Sequence, residues 1–168
     1  MAVQASKETI VATGEFYLTQ NPRELLKALR IATSIVVVVY DPTCGLGGMA
    51  HMAMPDSHIM PTPGDCPGKY VDLGLPLFIA ALNQAGLSKT RVQIKIIGGS
   101  QLFNFGGGSG NLLNIGTRNA ITARTILTRE GLPVEKTETG GNKPRTVIMD
   151  MTTGHVQVFH PGESARSL

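Results

Sequence analysis

The sequence has no tryptophan and only two cysteines, Cys44 and Cys66, and its aromatic residues make up 5% of the chain. Two cysteines cannot supply the paired framework of a small disulfide-stabilised secreted domain. Charge is also sparse: charged residues are 16% of the chain, the net charge is +3, and no two Lys or Arg residues are adjacent. Nucleic-acid binding calls for a clustered basic patch, so that class falls away. The longest apolar run, Ile35–Tyr40, is far shorter than the roughly 20 residues that span a bilayer. The opening "MAVQASKETIVATGE" has neither the basic nor the apolar region of a secretory signal. These absences predict a soluble, reduced, cytoplasmic protein with no membrane insertion.

What is present is a chain of 168 residues, 42% hydrophobic, with 20 glycines and 10 prolines. That length suits one domain over 1–168, able to bury roughly 70% of its unfolded surface. The ends, 1–8 and 162–168, are expected to fray. "ETIVATGEFYL" reads as a first strand and "PRELLKALRIA" as a short helix with Pro22 in its first turn. "SIVVVVYD" is a buried strand, "DPTCGLGG" a turn and "MAHMAMP" a weaker strand. "KYVDLGLPLFIAALNQAG" reads as a helix that Pro76 must start or kink. "RVQIKIIGG" alternates as a strand, and "NIGTRNAITARTILTREG" is a helix capped by Asn114 or Thr117. "LPVEKTET", "RTVIMDMTT" and "HVQVFHPG" are strands, the last two joined by a hairpin. Strands in two groups with two main helices predict a layered α/β or α+β sandwich.

Three features invite chemistry. The loop "FGGGSG" lacks the Gly-Lys-Ser/Thr of a phosphate-binding P-loop and reads as a glycine-rich connection. Cys44, His51, His58 and Cys66 carry zinc-ligand chemistry, but their spacings of seven, seven and eight residues contain no close pair of the usual structural kind. His51 lies in an apolar strand, where a hydrogen-bonded core histidine is the commoner reading.

Three longer blocks change that reading: "YDPTCGLGGMAHMAMPDS", "IKIIGGSQLFNFGGGSGNLLNIGTRNA" and "TGGNKPRTVIMDMTTGHV". Together they resemble the CheD family of chemoreceptor glutamine deamidases, from about Gly14 to Val158. The resemblance implies a single-domain α/β/α sandwich of the CheD deamidase type. It implies hydrolysis of selected glutamines to glutamate on the helical tails of chemoreceptors, with a CheC-like phosphatase as second partner. It implies no cofactor and no metal. The family's site is a cysteine nucleophile, a histidine base and an orienting threonine. The histidine carries over to His51 in "GGMAH". The cysteine's place, seventeen residues before the histidine and eight before Pro42, is taken by Ser34. The threonine's place, six residues before that, is taken by Ala28.

A hydroxyl ionises far less readily than a thiol and needs a well-oriented base. Three readings of Ser34 therefore stand: a deliberate nucleophile replacement, a serine hydrolase, and a decayed site that keeps its binding surface. The double departure at Ser34 and Ala28 favours the last. The expected function is binding of receptor tails or a CheC-like phosphatase, with deamidase activity weak or lost. The alternative is an active glutamine amidohydrolase using Ser34 and His51, and a third is a zinc-binding module. Ser34 is expected to open the Ile35–Tyr40 strand with its side chain facing His51. The loop from Gly98 to Leu113 is expected to border the site. Phe103, Phe105, Asn114 and Arg118 are its candidate binding residues. Cys44, in the turn, reaches the imidazole only if that turn folds back.

Overall fold

The structure is a computed structural model that describes residues 6–59, 64, 66–102 and 114–168. Its organising element is the β-branched run, which forms strand β4 (Ile35–Asp41) with every residue buried. Ile35, Val37 and Val39 face one core, while Val36, Val38 and Tyr40 face another. Alternating side chains on a strand point to opposite faces, so a strand apolar at every position belongs between two layers.

Strand β4 pairs antiparallel on one side with β5 (Leu46–Met52) and on the other with β6 (Gln93–Gly98). Edge strands β2 (Phe16–Thr19) and β7 (Lys136–Thr139) complete a five-stranded central sheet, ordered β2-β5-β4-β6-β7. A second sheet contains β1 (Lys7–Ile10), β3 (Glu24–Ile31), β8 (Arg145–Asp150), β9 (His155–Phe159) and β10 (Arg166–Ser167), ordered β1-β3-β8-β9-β10. Leu26, Ala28, Val147 and Met149 of this sheet meet Val36, Val38 and Met49 of the central sheet in one core. Helices α1 (Val71–Gln84) and α2 (Ile115–Arg129) cover the other face of the central sheet, where Phe78 and Leu127 are fully buried.

The layered mixed α/β class holds. Among the described residues the layers run sheet, sheet, helices. The alternating burial of β8 and β9 leaves the far face of the second sheet to solvent. Several local expectations are corrected. "ELLKALRI" is strand β3, not a helix. Its apolar residues fit either period, and the pairing with β1 on one side and β8 on the other overrides local helix preference. The strand is interrupted by a bulge between Ala28 and Ile31, where Arg30 takes a left-handed φ of 56°. "ETIVATGEFYL" divides into β1 and β2, which enter different sheets. Gly47 and Gly48 lie within β5 rather than in a turn. A Cβ on Gly47 would stand 2.7 Å from the Met151 thioether, and one on Gly48 2.8 Å from the Tyr17 carbonyl oxygen, so only glycine lets this strand approach so closely. Of the two places left open for Pro76, the structure takes the one inside α1, not its start. The C-terminal tail is not frayed: β10 pairs with β9, and the Leu168 N–H donates to the Val156 carbonyl.

Candidate active site

Ser34 immediately precedes β4, and the β4–β5 register sets Val36 opposite His51. Since Ile35 and Met52 turn toward the helices, Ser34 and His51 turn the other way, to the edge of the space between the sheets. The Ser34 hydroxyl lies 2.9 Å from His51 Nε2. The imidazole is 3% exposed, whereas Ser34 is half-buried and reachable from outside.

His51 is held from three directions. Its N–H donates to the Glu15 carbonyl and its carbonyl accepts from the Gly14 N–H, which locks the segment after β1 against β5. Its Nδ1 lies 3.2 Å from the Val11 carbonyl oxygen. A carbonyl only accepts, so Nδ1 carries the proton and Nε2 presents its lone pair to Ser34. Burial pushes the His51 pKa below its usual 6.5, opposed by the bond to Val11, so the ring is neutral at pH 7. A neutral imidazole with a free Nε2 facing a hydroxyl is the arrangement a general base requires.

A second hydroxyl completes the cluster. Thr13 Oγ1 lies 3.4 Å from the same Nε2, on an exposed residue beside Gly14. Sequence reasoning missed Thr13. The only signal was a hydroxyl residue before a turn glycine, and the contact joins positions 38 apart. Ala28, which the resemblance put in the threonine's place, is fully buried opposite Val147 in the core between the sheets.

The motif blocks found in the sequence brace the approach to Ser34. Gly99 N–H donates to the Ser34 carbonyl at 2.8 Å, and Ser100 N–H to the Ala32 carbonyl at 2.7 Å. A Cβ at Gly98, whose φ is 119°, would collide with the Ser34 carbonyl oxygen. Arg145, buried, donates to the Gly98 carbonyl, the Ser100 hydroxyl, the Gly140 carbonyl and the Glu138 carboxylate. Asn119 is fully buried on α2, and its Nδ2 donates to the carbonyls of Thr33 at 2.8 Å and Ala53 at 2.9 Å. One side chain thereby ties together the residue before Ser34 and the segment just after His51.

The other candidate residues fall elsewhere. The Asn114 side chain caps α2, accepting from Thr117 N–H at 3.0 Å and donating to Gln101 Oε1. Arg118 faces Asp56, whose carboxyl is held below its usual range first by the His58 N–H and ring, and to a lesser degree by Arg118. Phe103 and Phe105 lie outside the described residues. The start of their loop does border the site, through Gly99 and Ser100.

The proposed zinc set is not assembled. Cys44 sits in the turn joining the far ends of β4 and β5, about 20 Å along the strand from Ser34. His51 spends both ring nitrogens on Val11 and Ser34. Cys66 lies against the Gly14 carbonyl. The grouping of possible metal ligands among the described residues is instead Asp56, His58 and Asp72, and Asp72 is already bonded to Ser57. Among the described residues, no helix is long and apolar enough to cross a membrane.

Fold and site together define a class: a two-sheet mixed α/β protein with a hydroxyl–imidazole pair at the edge between its sheets. The chain belongs to the CheD family. The model described as "CheD chemotactic sensory transduction" matches residues 53–160. A "Probable chemoreceptor glutamine deamidase CheD" from Clostridium kluyveri is 33% identical over 162 residues, covering 96% of this chain and 98% of that one. A protein of the same description from Desulforamulus reducens is 33% identical over 155 residues, 92% of each chain. Among solved structures, the Bacillus licheniformis hypothetical protein YfiH is similar in fold, with a TM-score of 0.50 at 14% identity over 84% of this chain. The match spans 63% of that protein's length. The family match begins at Ala53, just past His51.

Proposed function

We propose that this chain hydrolyses the side-chain amide of selected glutamines on chemoreceptor tails, with Ser34 as nucleophile and His51 as base. The observation that carries this reading is the pair itself: a hydroxyl 2.9 Å from an Nε2 whose lone pair is free, because Nδ1 is committed to Val11. Ala28 offers no hydroxyl to orient the ring, but the Val11 carbonyl fixes the tautomer without one. The case for a binding-only site, built on that missing threonine, weakens accordingly.

The steps follow from the positions of the protons. Nε2 removes the Ser34 proton as Oγ attacks the amide carbon. The tetrahedral intermediate collapses as Nε2–H protonates the departing nitrogen, which leaves as ammonia. An ester joins Ser34 to the glutamyl side chain. Water, deprotonated by Nε2, attacks that ester, and the proton returns to Oγ as glutamate is released. Thr13 Oγ1 stands where it can accept a hydrogen bond from Nε2–H while the ring is charged. In bacteria that have a CheC-like phosphatase, that protein is the second expected partner.

The competing reading is a binder of receptor tails that has lost turnover. Its support is the serine itself, a poorer nucleophile than the family's thiol. Incubation with a receptor tail followed by mass spectrometry separates the two. We expect a gain of about one mass unit per converted glutamine, with ammonia released in equal amount, as the proposed hydrolysis requires. A tail that binds but keeps its mass would leave the binder reading.

Thr13→Val should lower turnover roughly tenfold with little change in KM, since one hydrogen bond to the charged base is lost at the transition state. Thr13→Ser should retain most of the rate. Equal losses in both variants would show that packing, and not the hydroxyl, is what matters there.

A further inference from the structure

Strand β7 runs parallel to β6 and ends beside Gly98, with Glu138 opposite Ile97. Ile97 faces the core between the sheets, so Glu138 turns the same way. One oxygen of this carboxylate, Oε1, accepts two hydrogen bonds, from Arg145 Nε at 3.2 Å and from His160 Nε2 at 2.6 Å. A carboxylate only accepts, so Nε2 carries a proton. The other ring nitrogen, Nδ1, is buried and has no partner among the described residues. The His160 side chain is only 9% exposed. A buried polar atom without a partner costs free energy that an aliphatic side chain would not. Stability alone therefore does not account for a histidine here, and its bond to Glu138 does.

Glu138 in turn aims Arg145. A guanidinium is planar, so fixing its Nε–H fixes the direction of its other N–H groups. With Nε on Glu138, Nη1 donates to the Gly98 carbonyl at 3.0 Å and to the Ser100 hydroxyl at 2.9 Å. These two acceptors flank Gly99, whose N–H holds the Ser34 carbonyl, and the Ser100 N–H holds the Ala32 carbonyl. Gly98 and Gly99 have φ of 119° and 64°. Glycine is the least constrained of residues, so this stretch does not stiffen itself. Arg145 clamps it at both ends.

We propose that His160 is a positioning residue for Ser34, acting through Glu138 and Arg145. It touches no reacting atom. It pins Glu138 Oε1, which fixes the plane of the Arg145 guanidinium, and the guanidinium holds Gly98 and Ser100 so that the Ser34 hydroxyl stays within reach of His51 Nε2. Without the imidazole, Glu138, whose side chain is 21% exposed, is free to turn toward solvent, and the guanidinium loses its fixed plane. The separation of Ser34 and Nε2 then spreads over a range, whereas proton transfer to the base needs hydrogen-bond distance. This inference rests on the reading of Ser34 as nucleophile and His51 as base.

The test compares His160→Leu, which removes the donor, with His160→Gln, which keeps a donor at about the same reach. His160→Leu should lower kcat roughly tenfold with KM unchanged, and His160→Gln should recover most of the rate, as expected where one hydrogen bond acts through geometry. Thermal unfolding should place both variants near the parent. A second readout needs no amide hydrolysis. In a Ser34→Cys chain, thiolate formation depends on the distance to His51, so iodoacetamide should alkylate position 34 several-fold more slowly once His160→Leu is added, as followed by peptide mass spectrometry. Glu163→Gln removes a carboxylate from the neighbouring pairs with Lys143 and Arg166 and should change neither readout. Unchanged kcat and unchanged alkylation in His160→Leu would overturn the relay and leave the hydrolase reading standing. A rate in His160→Gln as low as in His160→Leu would overturn it too, since packing and not the donor would then matter. A parent chain without turnover would overturn the hydrolase reading instead, and the alkylation rates would still decide on the relay.

Discussion

Ser34→Ala should abolish glutamine conversion, with a fall on the order of 10⁴-fold or more, because nucleophile and base act as one unit and neither substitutes for the other. The fold should be indifferent. Ser34 is half-buried at a strand entrance, and its backbone bond to Gly99 does not involve the side chain. Tail binding should therefore survive while the mass gain disappears. Ser34→Cys should do the opposite and raise the rate above the parent, since a thiol near an imidazole is partly ionised at neutral pH and a hydroxyl is not. It should do so without a second change at Ala28. The Val11 carbonyl already sets the ring, and Ala28 is fully buried among Leu26, Ile31 and Val147. A threonine there would add two heavy atoms to a close-packed core, at a cost of about 1–3 kcal/mol. Conversion that persists in Ser34→Ala would remove Ser34 from the chemistry altogether.

The parts of this molecule that were legible in the sequence are those written in contiguous patterns. The Ile35–Asp41 run announces a strand buried on both faces, and it is one. Asn114 announces a helix cap and accepts from Thr117 N–H as a cap should. The seventeen-residue separation of Ser34 and His51, with a turn between, announces a meeting, and the antiparallel β4–β5 hairpin delivers it. What was not legible depends on contacts between distant segments. "ELLKALRI" has good helix formers and becomes a strand only because two partners flank it. The group that fixes the His51 tautomer is a backbone carbonyl at Val11, 40 positions away, and a carbonyl leaves no mark on residue choice. Thr13 is invisible for a similar reason. Its contact with His51 joins positions 38 apart, and no spacing rule anticipates that. Asn119 and Arg145 stood inside blocks that read as family signatures. Only the folded chain shows that their work is to hold the carbonyls around Ser34.

His51→Gln should remove conversion about as completely as Ser34→Ala, and its effect on pH dependence tests the state of the ring. Burial holds the folded His51 pKa below 6.5, against the weaker opposing pull of the Val11 bond. The base is active when neutral, so parent activity should climb with pH below 6.5 and be level from there to pH 8. Stability should follow the same direction. Between the folded pKa and 6.5, the unfolded chain binds a proton that folded His51 refuses, so stability rises with pH in that window and is level above it. As pH falls through 6.5, the parent should lose stability that the His51→Gln chain does not lose. The difference between the two chains isolates this group from His58, His155 and His160, which both chains share. Denaturant titrations from pH 5 to 8 supply the comparison, alongside the rate profile of the parent. A rate still climbing between pH 7 and 8 would mean a base with a raised pKa and would contradict a buried, neutral imidazole. Parallel stability profiles for the two chains would mean that His51 titrates alike folded and unfolded. The ring would then lack the desolvated setting that keeps Nε2 free to take the proton from Ser34.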